Sequence, residues 1–240
     1  MIFDVVTLFP GMFSGALADG VVARARRLGT VAVRLHDLRR WGVGGHRVVD
    51  DQPYGGGGGM VLKPEPFFEA VDWIRERYPV ANSRVVLLSP QGMPLSDAHA
   101  RRLGGYERLV LLSGRYEGID ERVREGLADE EISVGDMVLT GGEIPALAVI
   151  DAVSRFIPGV LGSAESAEQD SFSRVGLDFP HYTRPAVYRG RSVPAVLTAG
   201  DHGAIERWRA AMARRATETK RPDLVQDRER SEKSAEARRG

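Results

Sequence analysis

Short apolar runs alternate with longer amphipathic stretches through the first 160 residues of this 240-residue chain. Four apolar runs predict strands, at residues 2–9, 31–37, 84–89 and 108–113. Four stretches that favour helix predict helices, near residues 14–28, 64–78, 96–103 and 143–156. Strands and helices that alternate at this spacing are typical of a mostly parallel sheet covered by helices. The predicted fold class is therefore α/β.

The pattern changes after residue 160. Residues 161–175 are mostly small and polar, which predicts a flexible linker. We expect this linker to join a first domain, residues 1–160, to a small and mainly helical second domain, residues 176–228. Residues 229–240 are charged and poor in apolar side chains, which predicts a disordered tail.

The predicted second domain combines a helix with an excess of basic residues. Ile205, Trp208 and Met212 recur at helical spacing and predict a helix over residues 201–217. The whole chain has 33 basic and 33 acidic residues, but residues 171–222 contain ten basic and four acidic ones. A basic face on a small helical domain is the usual footprint of phosphate contact, although a solvated helix surface explains the same charge.

Composition excludes several classes of protein and site. The chain has no cysteine, so disulfides, thiolate metal sites and a cysteine nucleophile are excluded. It has no apolar stretch of roughly 18 residues, as a membrane span needs, and Asp4 interrupts an N-terminal run that lacks the basic start of a signal peptide. The expected location is the cytoplasm.

Two kinds of catalytic or metal site also lack support. We expect no structural metal, because the five histidines lack metal-ligand spacing. The chain has no Gly-x-Ser-x-Gly segment, so a serine hydrolase has no support.

Two glycine-rich segments about twenty residues apart, 113–120 and 133–145, are the strongest functional signal. Each follows a strand-like run and leads towards a helix, so both place bare backbone at the carboxyl edge of the sheet, where α/β proteins bind small ligands. Residues 89–92 end another predicted strand with small, turn-forming residues. Each glycine alone is compatible with an ordinary turn. Together they predict a pocket floor of amides and carbonyls, with Leu139 and Ile144 as apolar walls.

Five consecutive glycines, residues 55–59, form a separate loop signal. Glycine loses too much backbone entropy to favour a strand or helix here. A phosphate-binding loop is excluded, because Met60 and Val61 stand where its Lys-Ser/Thr pair would be. We interpret the segment as a lid or ligand-wrapping loop, with a surface linker as the alternative.

Three acidic residues are candidates for chemistry. Glu117 lies in the first glycine-rich segment and can accept a hydrogen bond from a ligand or cap a helix. For Glu143, in the second segment, we favour a structural role. Asp170 is an isolated acid in the polar linker, where solvation is the ordinary state, but a linker between a ligand-binding sheet and a basic domain borders any substrate held by both.

Several longer motifs occur together and in order. They include residues 2–3, 8–10, 48–57, 88–92, 114–122, 154–162 and 180–185. With these motifs the chain resembles the bacterial tRNA (guanine-37-N1)-methyltransferases, of the SPOUT class, over nearly its whole length. The resemblance implies that the C-terminal part of the first domain threads into a trefoil knot, which no periodicity reveals.

The resemblance also implies a methyl donor and partners. In this family the knot forms the S-adenosylmethionine site, the enzyme is a homodimer, and the anticodon arm of tRNA lies across both subunits. Dependence on magnesium is implied too, without identified ligands. The residues expected around the donor are Ser89, Pro90, Gly114, Tyr116, Glu117, Val134, Gly135, Asp136, Met137, Val138, Leu139, Gly141, Gly142 and Pro145.

Two residues receive catalytic roles from the resemblance. Asp170 falls where the family places the general base, and Arg155 falls where it places an arginine that positions the base and stabilises charge. Gly58 replaces a frequent proline, and Met137 stands where an aromatic can occur. These departures concern loop stiffness and one pocket wall rather than the reaction.

Two alternatives remain open at this point. Another SPOUT RNA methyltransferase, acting on a ribose 2′-hydroxyl, would not need Asp170. A non-catalytic RNA-binding protein with the same fold would not bind S-adenosylmethionine at all.

Overall fold

The computed structural model describes residues 1–162, 170–173 and 176–225. The backbone divides into two compact units, Met1–Gly162 and Ser163–Gly240. The predicted tail, residues 229–240, and most of the predicted linker, residues 161–175, lie outside the described residues.

Strands of the first unit form one central sheet and a small hairpin. In chain order they are β1 (Ile2–Thr7), β2 (Ala32–Asp37), β3 (Asp50–Asp51), β4 (Val61–Leu62), β5 (Ser83–Pro94), β6 (Arg108–Ser113) and β7 (Glu130–Ser133). The central sheet has the order β2-β1-β6-β5-β7, and all its pairings are parallel. The antiparallel pair β3 and β4 flanks the five-glycine loop. The predicted α/β class is confirmed.

Helices cover both faces of the central sheet. They are α1 (Gly20–Arg27), α2 (Pro64–Arg77), α3 (Asp97–Leu103), α4 (Glu121–Gly126) and α5 (Glu143–Ser154), with 3₁₀ turns at Pro10–Phe13 and Leu38–Trp41. The helix predicted near residues 14–28 begins only at Gly20. Gly20 has a φ of +80°, which a regular α-helix does not continue through, so the first helical turn cannot extend back past it.

The sheet is buried on both faces, which explains its continuous apolar runs. Leu109 and Leu111 of β6 belong to one hydrophobic cluster with residues of α1, α3 and α5, whereas Val110 and Leu112 belong to another with residues of α2 and α4. Successive side chains of a strand point to opposite faces, so alternate residues fill the two clusters. A central parallel strand therefore needs apolar residues at every position.

Strand β5 departs from its predicted end. Leu88 and Met93 both pair with Ile132 of β7, so residues 89–92 leave the ladder as a bulge and the strand resumes to Pro94. Gly92 allows this approach, because a Cβ there would overlap the backbone of Ile132. The prediction that the strand ends at residue 89 is wrong, since turn-forming residues also occur in bulges.

In the second unit the main element is α6 (His202–Lys220), preceded by the hairpin β8 (Val187–Tyr188) and β9 (Arg191–Ser192) and a 3₁₀ turn at Ala195–Leu197. The carboxylate of Asp201 caps α6 by accepting a hydrogen bond from the Ala204 amide at 3.0 Å. The helix predicted over residues 201–217 is confirmed, and it runs three residues further.

Candidate active site

A cavity of about 230 Å³ lies at the carboxyl edge of the central sheet. Its walls are the bulge of β5 and the chain segments that follow β6 and β7. Parallel strands end at a common edge, so segments far apart in sequence meet there. Twelve of the fourteen residues predicted around the donor line this cavity: Ser89, Pro90, Gly114, Tyr116, Glu117, Val134, Met137, Val138, Leu139, Gly141, Gly142 and Pro145.

The other two, Gly135 and Asp136, stand in the chain between the lining residues Val134 and Met137. Gly135 has a φ of +147°, and a Cβ there would come within 2.9 Å of the Met137 methyl carbon. The glycine therefore permits the turn that carries Met137 into the cavity wall. Binding roles for all fourteen residues stay predictions.

Four charged residues of the lining were missed by sequence reasoning: Arg115, Glu121, Arg124 and Glu131. Arg124 forms an ion pair with Glu121 on α4 and lies 3.8 Å from Glu131 of β7. Helix α4 has only six residues and no distinct apolar period, so the sequence did not predict that it lies against the cavity. Arg115 lies inside the first glycine-rich segment, which was the available signal.

The two glycine-rich segments pair with each other in the cavity wall. The Gly142 amide donates a hydrogen bond to the Gly114 carbonyl at 2.9 Å, and Arg115 and Gly141 form an antiparallel bridge. A Cβ at Gly142 would lie 2.6 Å from the Cα of Ser113, and one at Gly141 would overlap the Arg115 side chain. The backbone of Ser113 therefore leaves no room for a side chain at Gly142, and the Arg115 side chain fills the space beside Gly141.

Tyr116 has an unusual backbone for its residue type. Its φ is +59°, in the left-handed region, and its side chain is 54% exposed at the cavity. Residues held in this conformation cost free energy and concentrate at ligand-binding sites. The conformation turns the chain so that Glu117 and Gly118 also reach the cavity lining.

The five-glycine loop ends against the first glycine-rich segment. The Glu117 amide donates to the Met60 carbonyl at 3.0 Å, and the Leu62 amide donates to the Gly118 carbonyl at 3.0 Å. A Cβ at Gly59, whose φ is +83°, would overlap the Glu117 side chain. The last residue of the loop thus packs against Glu117 of the cavity lining, while the role of the loop as a lid stays a prediction.

Glu143 has the structural role that we favour from the sequence. It is fully buried at the first position of α5. Its carboxylate accepts a hydrogen bond from the Thr7 hydroxyl at 2.7 Å and forms an ion pair with Arg115 at 2.8 Å. These contacts join the end of β1, the start of α5 and the cavity wall.

The two predicted catalytic residues belong to different units. Arg155 is an exposed residue that caps the C-terminus of α5 in the first unit. Asp170 is partly buried in the second unit, and its carbonyl accepts a hydrogen bond from the Ser173 hydroxyl at 2.6 Å. Their roles in a reaction stay predictions.

Neither a metal centre nor a membrane span is found in the part of the chain that is described. Among the described residues, no group of three His, Asp or Glu side chains is placed to hold a metal ion. None of the helices described has the length and apolar content that a bilayer crossing requires.

Comparison with known proteins identifies the family. Residues 1–227 match the model of the family described as tRNA (Guanine-1)-methyltransferase TrmD. The chain belongs to this family. The match spans both units and includes the whole lining of the cavity. The SPOUT class of the fold follows from this membership, while the trefoil knot stays a prediction.

Curated relatives named tRNA (guanine-N(1)-)-methyltransferase agree with this membership. The one from Syntrophotalea carbinolica is 51% identical over 94% of this chain and 90% of the relative. The one from Geobacter sulfurreducens is 50% identical over 96% of this chain and 94% of the relative. The one from Dehalococcoides mccartyi is 51% identical over 94% of this chain and 91% of the relative.

Proposed function

We propose that this protein transfers a methyl group from S-adenosylmethionine to N1 of guanine 37 in tRNA, next to the anticodon. The observation that carries the proposal is the convergence of the β5 bulge and both glycine-rich segments on one cavity in a member of the tRNA (guanine-1)-methyltransferase family. The names of the relatives specify N1 of guanine. Position 37 rests on the resemblance of the motifs.

The chemistry of the cavity lining suits the proposed donor. Ile132 and Leu139 offer apolar surface to a flat adenine ring. Three carboxylates and two guanidiniums line the cavity, and this excess of negative charge favours a ligand that carries sulfonium and ammonium charges. When bound, S-adenosylmethionine supplies an electrophilic methyl group.

Asp170 acts as the general base in this proposal. N1 of guanine carries a proton and is a poor nucleophile until that proton is removed or shared in the transition state. The Asp170 carboxylate takes the proton while the bond from N1 to the methyl carbon forms and the bond from sulfur to that carbon breaks. The electron pair of the broken bond stays on sulfur, so charge and atoms balance.

Arg155 stabilises the charge that this proton transfer creates. As N1 loses its proton, negative charge spreads to O6 of guanine. A guanidinium stays protonated at any working pH and donates planar pairs of hydrogen bonds, so Arg155 both holds O6 and orients the ring for attack.

The tRNA is held mainly through its phosphates. A base must leave its stack before an enzyme can act on it, so guanine 37 is extruded from the anticodon loop. The basic residues within 171–222 bind the anticodon arm, so the affinity for tRNA falls as the salt concentration rises.

We further propose that the protein is a homodimer and acts in the cytoplasm. Magnesium dependence is part of the proposal through the resemblance alone, and no step here uses the ion.

Mapping the methylated atom tests the proposal. The protein is incubated with S-adenosylmethionine and a tRNA transcript that carries G37, and the digested nucleosides are identified by mass spectrometry. We expect 1-methylguanosine at position 37 and none in a transcript with A37. A 2′-O-methylated nucleotide would assign the chain to ribose methylation, and no donor binding by calorimetry would indicate a non-catalytic protein.

Replacing the proposed base gives a quantitative prediction. Asp170→Asn keeps the shape of the side chain but cannot take a proton, so single-turnover methylation should slow by roughly 10²–10⁴-fold with little change in donor affinity. Asp223→Asn, which alters an exposed partner of Arg221, serves as the control and should keep its rate. Full activity of Asp170→Asn contradicts this mechanism.

A further inference from the structure

We infer that Arg115 is a positioning residue for the donor cavity, and that Thr7 and Glu143 act on the donor through it. The three residues are called here the Thr7–Glu143–Arg115 network. The inference rests on the proposed function, since it concerns how the same cavity holds S-adenosylmethionine.

Arg115 connects the two glycine-rich segments through its side chain. Its Nη1 donates a hydrogen bond to the Thr140 carbonyl at 3.0 Å, and its Nη2 lies 2.8 Å from the Glu143 carboxylate. The guanidinium also lies 4.6 Å from the centre of the Phe9 ring. A guanidinium is planar and rigid, so contacts on several edges fix its orientation. The spacing between residues 115 and 140 is thereby set.

Glu143 depends on both of its partners, because its side chain is fully buried. A buried carboxylate is costly unless it is paired and hydrogen-bonded. Arg115 supplies the opposite charge, and its own side chain is only 14% exposed. Removal of either charge leaves the other without compensation, so the pair holds its geometry strongly.

Thr7 completes the network from outside the cavity. Its hydroxyl oxygen accepts a hydrogen bond from the Phe9 amide at 3.0 Å, so its proton is free to point at Glu143, 2.7 Å away. Thr7 is fully buried at the end of β1 and is not a lining residue. Any effect of its hydroxyl on donor binding therefore passes through its partners Glu143 and Phe9, both of which contact Arg115.

The network acts on the donor through the cavity wall. Thr140 and Gly141 both line the cavity, and Gly141 packs directly against the Arg115 side chain. A change in the orientation of Arg115 therefore shifts the wall that faces the donor. Arg115 lines the cavity as well, so its own substitution does not separate positioning from direct contact, whereas substitution of Thr7 does.

A matched pair of variants at Thr7 tests the inference. Thr7→Val has the shape of threonine without the hydroxyl, and Thr7→Ser keeps the hydroxyl. We expect calorimetry to give a Kd for S-adenosylmethionine about tenfold higher in Thr7→Val, as for loss of a hydrogen bond to a charged group, and within twofold of wild type in Thr7→Ser. At saturating donor, kcat should change less than threefold, so the weaker binding should appear as a higher KM for S-adenosylmethionine.

Variants of the Arg115–Glu143 ion pair provide an independent test if Thr7→Val does not fold. Arg115→Lys and Glu143→Gln should each weaken donor binding at least fivefold. The double variant should lose less binding free energy than the two single variants together, because each of them breaks the same interaction. Arg122→Lys is the control and should bind normally, because Arg122 lies in the first turn of α4 and pairs with Asp120 outside the lining.

The outcomes separate the two hypotheses. Equal donor affinity of Thr7→Val and Thr7→Ser, or additive effects at Arg115 and Glu143, overturns the inference and leaves the proposed function standing. A wild-type protein that does not bind S-adenosylmethionine overturns the proposed function, and this inference with it.

Discussion

At the scale of single residues, the glycines around the cavity have distinct physical reasons. Gly142 has a helical φ of −78° that alanine would accept, but Ser113 occupies the space of its Cβ. Gly59 and Gly135 have positive φ values that other residues adopt at a cost. A glycine in a sequence thus predicts a restricted position. The residues around it in the fold decide whether the restriction is the backbone conformation or the lack of space for a side chain.

Gly142→Ala tests the close pairing of the two glycine-rich segments. The added methyl group meets the backbone of Ser113, which cannot move as a flexible side chain would, so the free energy of unfolding should fall by about 1–3 kcal/mol and donor binding should weaken. Chemical denaturation and calorimetry measure the two effects. Gly45→Ala is the matched control, because its Cβ would enter open space at a negative φ. Similar stability losses in both variants contradict this account.

At the scale of elements, Glu130 links the start of β7 to helix α3. Its carboxylate lies 2.9 Å from His99 Nε2 and accepts a hydrogen bond from Arg102 at 2.5 Å. Burial would raise the pKa of Glu130, but the hydrogen bonds from Arg102 and His99 outweigh it and hold the pKa below its ordinary value. The charged form is therefore favoured by folding.

The lowered pKa of Glu130 predicts a pH dependence of stability. A carboxyl group with a lower pKa in the folded state contributes stability that is full above its unfolded pKa, about 4.3, and is lost as pH falls through the folded pKa. Glu130→Gln should therefore be less stable than wild type near pH 7, with the difference shrinking below about pH 4.3. Urea unfolding across pH measures it. Glu125→Gln, at an exposed position of α4, should show a smaller difference, and a gap independent of pH at Glu130 refutes the prediction.

At the scale of the whole molecule, charge is distributed unevenly along the chain. The formal net charge is zero, yet the basic excess lies within residues 171–222, which include α6. Arg207 and Arg215 of α6 are exposed. Phosphate contacts release condensed counterions, so each one adds to the salt dependence of tRNA binding.

A double variant on α6 tests this electrostatic contribution. Arg207→Ala with Arg215→Ala should weaken tRNA binding and flatten the plot of log affinity against log salt by about one for each phosphate that these arginines neutralise. Donor affinity should stay unchanged. The double variant Arg75→Ala with Arg77→Ala, on α2 of the first unit, is the charge-matched control. An unchanged salt slope in the double variant on α6 would place the tRNA contacts elsewhere.

The sequence by itself determined the α/β class, most elements and twelve of the residues that line the cavity. Parallel strands buried on both faces must be continuously apolar, and helices between them show their own period, so local patterns suffice. The long motifs determined the family, and hence which residues to expect around the donor. The position of Arg155 at the C-terminal end of α5 also followed from the pattern.

The tertiary structure decided what local patterns do not encode. The bulge of β5 depends on Ile132 of β7, the glycine pair depends on Ser113 and Arg115, and the Thr7–Glu143–Arg115 network joins Thr7 and Glu143 across 136 positions in the chain. A hydrogen bond between such distant residues forms only after the sheet brings their elements together. Periodicity reports which face of an element is buried, whereas the partner of a buried polar group is set by the fold around it.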